Sequence, residues 1–260
     1  MRQPLTGGAL PGGPLPGEAR TKGALPGKAL TGRVALVTGA SRGLGAAVAR
    51  KLAELGAHVV LTARTQGGLE DTGDAITAAG GAATLLPLDL REPDTLEAIG
   101  PSIYARFGRL DILVHAAGVL GKLTPVGHAT AADRMEALSV NTLAVWRLIQ
   151  SCEAPVRQAG AGRAVFVTDA RARAPSAYWA AHGATKVAAE HLVLSWAAEV
   201  TQTPLRVNLF DPGPMRTRMR GLAFPGEDPA TLPTPEAAAA ALCALCLADE
   251  DRNGVLVRHR

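Results

Sequence analysis

A glycine-rich turn between an apolar run and a helix-like stretch constrains this chain more than any other feature. The apolar run Val34 to Val37 leads into TGASRGLG, which spans Thr38 to Gly45 and contains Gly39 and Gly43. Such small residues let the backbone approach a diphosphate, and the N–H groups and dipole of a helix start favour its negative charge. The spacing is wider than the usual G-x-G-x-x-G pattern, so the prediction of a nucleotide-binding turn depends on the strand and helix around it.

From Arg33 onward, short apolar runs alternate with amphipathic helical stretches, which is typical of a parallel sheet covered by helices on both faces. We therefore expect one Rossmann-like, doubly wound α/β domain with a seven-stranded, mostly parallel sheet. The predicted strands are Val34–Thr38, His58–Ala63, Ala83–Leu88, Asp111–His115, Ala164–Thr168, Arg206–Phe210 and Val255–Arg258. The predicted helices are Leu44–Leu55, Leu69–Ala79, Pro93–Phe107, Ala131–Gln158, Tyr178–Val200 and Pro235–Ala248.

Residues 1–32 differ in composition from the rest and are predicted to be a disordered tail, with the domain covering residues 33–260. A Leu-Pro-Gly or Leu-Thr-Gly figure recurs along this segment, and that density of Pro and Gly cannot build a packed core. Residues 1–33 hold five basic side chains and one acidic side chain, which accounts for the net charge of +4 and leaves the rest formally neutral. A neutral domain gives no argument for nucleic-acid binding.

Export, membrane insertion and metal binding are not expected. The tail lacks the continuous apolar run of a secretory signal, and no later run reaches transmembrane length without charges or breakers. We therefore expect a soluble, cytoplasmic protein without a membrane partner. The cysteines Cys152, Cys243 and Cys246 predict no disulfide framework, and the C-x-x-C lies in an Ala-rich helical run as packing residues. The scattered histidines predict no metal site.

The residues after the second predicted strand bear on the choice of cofactor. A carboxylate there would accept hydrogen bonds from a ribose and repel a 2′-phosphate, but this chain offers Arg64, together with Arg42. The two arginines favour NADP over NAD, unless they are solvated surface charges. Asp89, after the third strand, is placed either to meet the adenine edge or to cap the next segment.

Several motifs in order make the chain resemble the classical short-chain dehydrogenase/reductases, especially the YciK-type bacterial members. They are TGASRGLG, Asp89, HAAG from His115 to Gly118, Asn141 in SVNT, Lys186 in HGATK and PGPMRT from Pro212 to Thr217. The resemblance covers Arg33 to Val257 and implies NADP or NAD as the cofactor. The cofactor-binding residues predicted from the turn, the arginines and the resemblance are Gly39, Ser41, Arg42, Gly43, Leu44, Gly45, Arg64, Asp89, Leu90, Ala116, Ala117, Gly118, Lys186, Pro212, Gly213 and Thr217.

The resemblance also implies a catalytic Asn, Ser, Tyr and Lys, of which two are replaced here. Asn141 and Lys186 match, but His182 stands at the Tyr position and Asp169 at the Ser position. An imidazole, with an ordinary pKa of about 6.5, exchanges protons near neutrality. A carboxylate at the Ser position would repel a developing alkoxide. Tyr178 as a displaced acid would leave His182 unexplained.

Three hypotheses remain open. In the first, the chain is an oxidoreductase acting on a small carbonyl or alcohol, with Asn141, Asp169, His182 and Lys186 as catalytic residues. In the second, it is a non-catalytic nucleotide-binding or scaffold protein. In the third, it is an Asp/His acid–base lyase or isomerase. The expected substrate lining is Leu120, Arg171, Trp179 and Met215–Phe224, with Arg171 and Arg173 either holding an acidic substrate or solvated. The predicted long helices resemble those that pair subunits in the family, which implies a homodimer or homotetramer.

Overall fold

Seven strands form one parallel sheet in the computed structural model, which describes residue 25 and residues 27–259. The strands are β1 Val34–Thr38, β2 His58–Ala63, β3 Ala82–Pro87, β4 Ile112–His115, β5 Arg163–Val167, β6 Arg206–Asp211 and β7 Leu256–Arg258. Their spatial order is β3-β2-β1-β4-β5-β6-β7, and every neighbouring pair is parallel. The predicted doubly wound, seven-stranded sheet is confirmed, and it is parallel throughout rather than mostly parallel.

Helices cover both faces of the sheet. They are α1 Gly43–Glu54, α2 Gln66–Ala78, α3 Pro93–Phe107, α4 Ala131–Leu138, α5 Ala144–Gln158, α6 Ala180–Glu199, α7 Arg218–Ala223 and α8 Pro235–Ala244. One core layer joins the sheet to α1, α2 and α8, and a second joins it to α3, α5 and α6. All five residues of β1 are buried, as expected for a central strand packed on both faces.

The predicted helix Ala131–Gln158 is interrupted by one π-helical turn, Ser139–Leu143, between α4 and α5. Asn141 lies in this turn and is 1% exposed. A π turn accommodates one more residue per turn than an α-helix and is often found at functional sites. The hydrophobic pattern is continuous across the turn, so periodicity alone did not predict it.

The ordered chain begins before Arg33. Residues 27–32 form turns, and Leu30 is fully buried with its backbone N–H donating to the Leu55 carbonyl. Leu30 belongs to the repeated Leu-Thr-Gly and Leu-Pro-Gly motif of the predicted tail, but its burial against α1 holds this segment on the domain. The disorder predicted for residues 1–24 and 26 lies outside the described residues.

Two further differences concern the C-terminal third. The helix predicted to reach Ala248 ends at Ala244, where the backbone changes to tighter hydrogen bonds such as Cys246 N–H to Cys243 O. The short helix α7 was not predicted, because Gly221 and the flanking prolines mask its pattern. Among the residues described, no helix is long and apolar enough to cross a membrane.

Candidate functional site

The ends of β1 and β4 define a crevice at the carboxyl edge of the sheet. β1 lies between β2 and β4, so chain connections leave it in opposite directions, and open α/β sheets bind ligands at such a point. Gly39 follows β1 with φ +70°, and a Cβ there would come within 2.8 Å of the Ala117 backbone. Glycine therefore allows the two strand ends to approach.

The N-terminus of α1 opens into this crevice without a side-chain cap. Its N-cap residue, Arg42, has extended backbone (φ −167°) and makes no capping hydrogen bond. A Cβ on Gly45 would come within 2.2 Å of the Gly39 carbonyl oxygen, so the turn closes tightly beneath the helix start. An uncapped helix start behind a glycine turn fits the diphosphate of a dinucleotide.

A cleft of about 1270 Å³ runs along this edge, which exceeds the roughly 300–1,000 Å³ of pockets for drug-sized ligands. It is lined by all the predicted cofactor-binding residues: Gly39, Ser41, Arg42, Gly43, Leu44, Gly45, Arg64, Asp89, Leu90, Ala116, Ala117, Gly118, Lys186, Pro212, Gly213 and Thr217. Asp169 and His182 also line it, whereas Asn141 does not. The cleft therefore brings together the predicted cofactor-binding residues, Lys186 among them, and two further predicted catalytic residues, Asp169 and His182.

Two exposed arginines lie where the cleft passes the end of β2. Arg42 and Arg64 both line the cleft, and Arg42 Nη2 is 3.4 Å from Thr65 Oγ1. Asp89 is nearby, but its carboxylate accepts two hydrogen bonds from the Arg91 side chain at Oδ2 and one from the Arg91 backbone N–H at Oδ1. These bonds lower the pKa of Asp89. Asp89 thus both bonds the next segment at Arg91 and lines the cleft, so its two predicted roles are compatible with this geometry.

His182 is buried with its two ring nitrogens in different surroundings. Nδ1 lies 3.1 Å from the Val119 carbonyl oxygen, which only accepts hydrogen bonds, so Nδ1 carries a proton. Nε2 has no hydrogen-bond partner among the described residues and lies 3.7 Å from Asp169 Oδ2. That separation is too long for a direct hydrogen bond. A proton on Nε2 would lie between the ring and the carboxylate.

The two carboxylate oxygens of Asp169 have different neighbours. Oδ1 accepts a hydrogen bond from the Arg171 backbone N–H at 2.6 Å and caps the short 3-10 turn Ala170–Ala172, while Oδ2 faces His182. Burial alone would raise the pKa of Asp169, but His182, the Arg171 N–H and the Lys186 charge outweigh it and hold that pKa at about 2. The carboxylate is therefore ionised at neutral pH.

Lys186 lies on α6 one turn after His182, with its Nζ donating to the Val167 carbonyl at 3.1 Å. Burial lowers the pKa of Lys186, although the Asp169 and Glu190 carboxylates oppose this change. Lys186 lines both the main cleft and an internal cavity of about 10 Å³, which has room for about one water molecule.

Asn141 holds the loop after β4 rather than facing the cleft. Its Oδ1 accepts from the Val119 N–H at 2.9 Å, and its Nδ2 donates to the Val119 carbonyl at 3.0 Å and to Thr185 Oγ1 at 3.1 Å. Because the same Val119 carbonyl accepts from His182, Asn141 fixes the acceptor that orients the imidazole.

Comparison with known proteins matches this chain to short chain dehydrogenases. The model of that family covers residues 33–228. The chain belongs to the short-chain dehydrogenase family. It is 34% identical to the uncharacterized oxidoreductase YciK of Escherichia coli K12 over 209 residues, which are 79% of this chain and 82% of that protein.

Two solved short chain dehydrogenases extend the comparison to bound cofactors. One from Shigella flexneri, complexed with NADP, is 31% identical with a TM-score of 0.86, over 90% of this chain and 99% of that one. One from Escherichia coli CFT073, complexed with NADPH, is 32% identical with a TM-score of 0.85, over the same shares. The resemblance to YciK-type members read from the motifs is thereby confirmed.

A buried ion cluster beside the family lysine was not predicted from the sequence. Arg173 pairs with Glu190 and, at 2.7 Å, with Asp211, while Thr168 Oγ1 donates to Glu190. The cluster joins the loop after β5, helix α6 and the end of β6. Arg173 is therefore not available to hold an acidic substrate, which corrects that expectation. Glu190 lies one helical turn after Lys186 on α6, and this spacing is the one signal in the sequence from which its position beside Lys186 was predictable.

Aromatic side chains form one wall of the cleft beside His182. Trp179 contacts His182 edge-on, with ring centroids 5.6 Å apart, and its ring centroid is 5.7 Å from that of Phe224. Arg171 stacks over Trp179 at 4.7 Å. Tyr178 is 57% exposed and does not line the cleft, so the structure gives no support to a displaced tyrosine acid.

The cysteines and histidines outside the site pack in the core or lie apart. Cys243 and Cys246 are fully buried, and burial raises the pKa of the Cys246 thiol to about 12. His115 is buried with Nδ1 2.9 Å from Thr38 Oγ1, and burial, followed by the Lys186 charge, lowers its pKa to about 3. The described residues contain no group of three or more His, Cys, Asp or Glu arranged to hold a metal ion.

Proposed function

We propose that this chain is an NADP-dependent oxidoreductase that transfers a hydride to or from a small carbonyl or alcohol substrate. The observation that carries the proposal is that one cleft joins the uncapped start of α1, the Arg42 and Arg64 pair, and the Lys186 and His182 side chains. Solved members of the family with NADP or NADPH support the choice of cofactor.

The chain offers binding groups for the phosphates, the nicotinamide ribose and the nicotinamide ring of the cofactor. The turn from Gly39 to Gly45 and the first N–H groups of α1 would hold the diphosphate. Arg42 and Arg64 would hold the 2′-phosphate, because a guanidinium binds phosphate with several charge-assisted hydrogen bonds. Lys186 would hold the nicotinamide ribose, with Pro212 to Thr217 beside the ring. When bound, the cofactor supplies or accepts the hydride.

Proton transfer in this proposal belongs to His182. The Val119 carbonyl fixes Nδ1, which leaves Nε2 to hold or release the proton exchanged with the substrate oxygen. Asp169 would stabilise the positively charged ring but disfavour negative charge on that oxygen. The Lys186 ammonium, whose charge acts on the Asp169 carboxylate, would offset this repulsion.

A second candidate is a non-catalytic nucleotide-binding protein of the same family. Asp169 favours it, because its Oδ1 already serves as a cap and its Oδ2 is an acceptor where a donor to the substrate oxygen is expected. This candidate retains the cofactor contacts and lacks hydride transfer.

A spectrophotometric screen separates the two candidates. The purified protein would be given NADPH with aldehydes and ketones, and NADP⁺ with alcohols, while absorbance of the reduced nicotinamide is followed. The proposed function predicts turnover with at least one compound that falls strongly in His182→Gln. Tight NADPH binding without turnover in either direction would favour the non-catalytic candidate.

A further inference from the structure

The part of the cleft beside His182, where the proposed substrate would bind, contains a stacked arginine. Within the described part of the chain, no acidic side chain forms an ion pair with it. Arg171 makes no ion pair there, whereas Glu227 is paired with Arg220 at 2.6 Å and Asp211 with Arg173 at 2.7 Å. The carboxylate nearest in sequence, Asp169, uses one oxygen on the Arg171 backbone and the other faces His182. The Arg171 guanidinium therefore keeps its positive charge for a ligand.

Arg171 is also held in place before any ligand arrives. Its guanidinium carbon lies 4.7 Å from the Trp179 ring centroid, and Nη1 donates to Ser176 Oγ at 2.5 Å. A stacked and hydrogen-bonded guanidinium loses little further freedom when it binds an anion, which increases affinity. Trp179 in turn contacts His182, so the cation lies one aromatic ring away from the proposed proton-transfer group.

We infer that the substrate carries an anionic group, a carboxylate or a phosphate, that binds Arg171 while its body packs against Trp179 and Phe224. This inference rests on the proposed function and names the substrate class of the same site. The planar fork of N–H donors on a guanidinium matches both anions, and part of that fork remains unpaired beside the cleft. Arg171 is thereby a specificity-determining residue, whereas His182 transfers the proton.

The test measures binding without turnover. The probes are 4-formylbenzoate, its uncharged methyl ester and 4-formylphenyl phosphate, titrated by calorimetry into the free protein and into protein saturated with NADP⁺, which cannot reduce an aldehyde. We expect at least one of the two anions to bind about tenfold more tightly than the ester, as for a charge-assisted hydrogen bond. The better anion identifies the source of the negative charge.

Three variants complete the experiment. Arg171→Gln should bring the affinities of anion and ester together, and Arg171→Lys should retain a smaller preference because the point charge remains. Arg106→Gln is the matched control: Arg106 stacks over Phe107 at 5.3 Å but does not line the cleft, so it should keep the full preference. Equal affinity of the wild type for anions and ester, no binding of any probe, or a preference that survives Arg171→Gln overturns the inference.

NADPH affinity, measured on the same samples, keeps the two proposals separate. Tight NADPH binding without a preference for the anions contradicts the inference about Arg171 alone. Failure to bind NADPH contradicts the proposed function, whatever the aldehydes do.

Discussion

At the scale of single residues, the site depends on what the two nitrogens of His182 face. The Val119 carbonyl accepts from Nδ1 and also from Asn141, so its position is set from two sides. Nε2 lies 3.7 Å from Asp169 Oδ2 and has no hydrogen-bond partner in the described part of the chain. The imidazole of His182 is thus oriented by neighbours that the sequence pattern does not bring together.

Replacement of His182 should remove catalysis and spare cofactor binding. In His182→Gln, kcat is expected to fall by about 10²–10⁴, the usual contribution of a general acid or base. The Kd for NADPH should remain unchanged, because the predicted phosphate contacts lie elsewhere in the cleft. Tyr178→Phe is the control and should retain full activity, since Tyr178 is exposed outside the cleft. A greater loss in the Tyr178 variant would move the acid to that residue.

His115 should make the protein less stable in acid. Burial lowers its pKa from 6.5 to about 3, so the unfolded chain takes up this proton first as the pH falls. The contribution of neutral His115 to the free energy of unfolding is complete above about pH 6.5. It is lost as the pH falls toward 3, by up to about 1.4 kcal/mol per pH unit. In urea unfolding at several pH values, the free energy of unfolding of His115→Gln should fall less steeply with decreasing pH than that of the wild type. Parallel curves would contradict the burial argument.

At the scale of elements, helices α3 and α5 cross through a contact that only glycine allows. A Cβ on Gly100 would lie 2.0 Å from the Ser151 carbonyl oxygen. Pro101 has no N–H to donate to the Glu97 carbonyl. Ser151 Oγ donates to that carbonyl instead, at 2.8 Å, and it accepts a hydrogen bond from the Gly100 N–H at 2.9 Å. Proline inside α3 is therefore compensated by a side chain of α5.

Gly100→Ala should lower the free energy of unfolding by about 2–3 kcal/mol or more, because the added methyl group meets backbone rather than a movable side chain. Gly67→Ala is the matched helical control, since a Cβ there has no atom within 4 Å, and its stability should be unchanged or slightly higher. Denaturant unfolding of both variants checks the prediction. Equal stability would mean that the two helices separate freely.

The strands were predictable because buried parallel strands give continuous apolar runs, and all seven predicted segments coincide with strands. The π turn around Asn141 was not, because a single extra residue leaves the apolar pattern nearly unchanged. The motifs likewise predicted which residues line the cleft. The pairing of Arg173 with Glu190 and Asp211 joins three distant segments, and its geometry appears only when the chain is folded.

At the scale of the whole molecule, helices α4 and α5, which both contact α6, carry with it several exposed apolar side chains, called here the apolar face. Met135 is 53% exposed, Trp146 and Val187 are each 49% exposed, and Leu138 is 38% exposed. Exposed large apolar side chains on helices in contact with one another are typical of an interaction surface. The face agrees with the homodimer or homotetramer that the family resemblance implies, and that assembly remains a prediction.

Charge on this face should dissociate the assembly. The wild type is expected to elute as a dimer or tetramer in size-exclusion chromatography with light scattering. The double variant Trp146→Glu/Val187→Glu is expected to elute as a smaller species with the same secondary structure. Buried carboxylates without partners oppose association. Tyr104→Glu, an exposed aromatic residue on α3, is the control and should leave the mass unchanged. A monomeric wild type would contradict the prediction.

A fluorescence titration with NADPH and with NADH shows whether the cleft of this molecule binds NADP. We predict saturable binding of NADPH, about tenfold or more tighter than NADH, because Arg42 and Arg64 are proposed to bind the 2′-phosphate. Arg64→Gln should lose most of this difference by weakening NADPH alone. Equal affinity for the two nucleotides would contradict the role of the arginines, and binding of neither would contradict the account of the site as a whole.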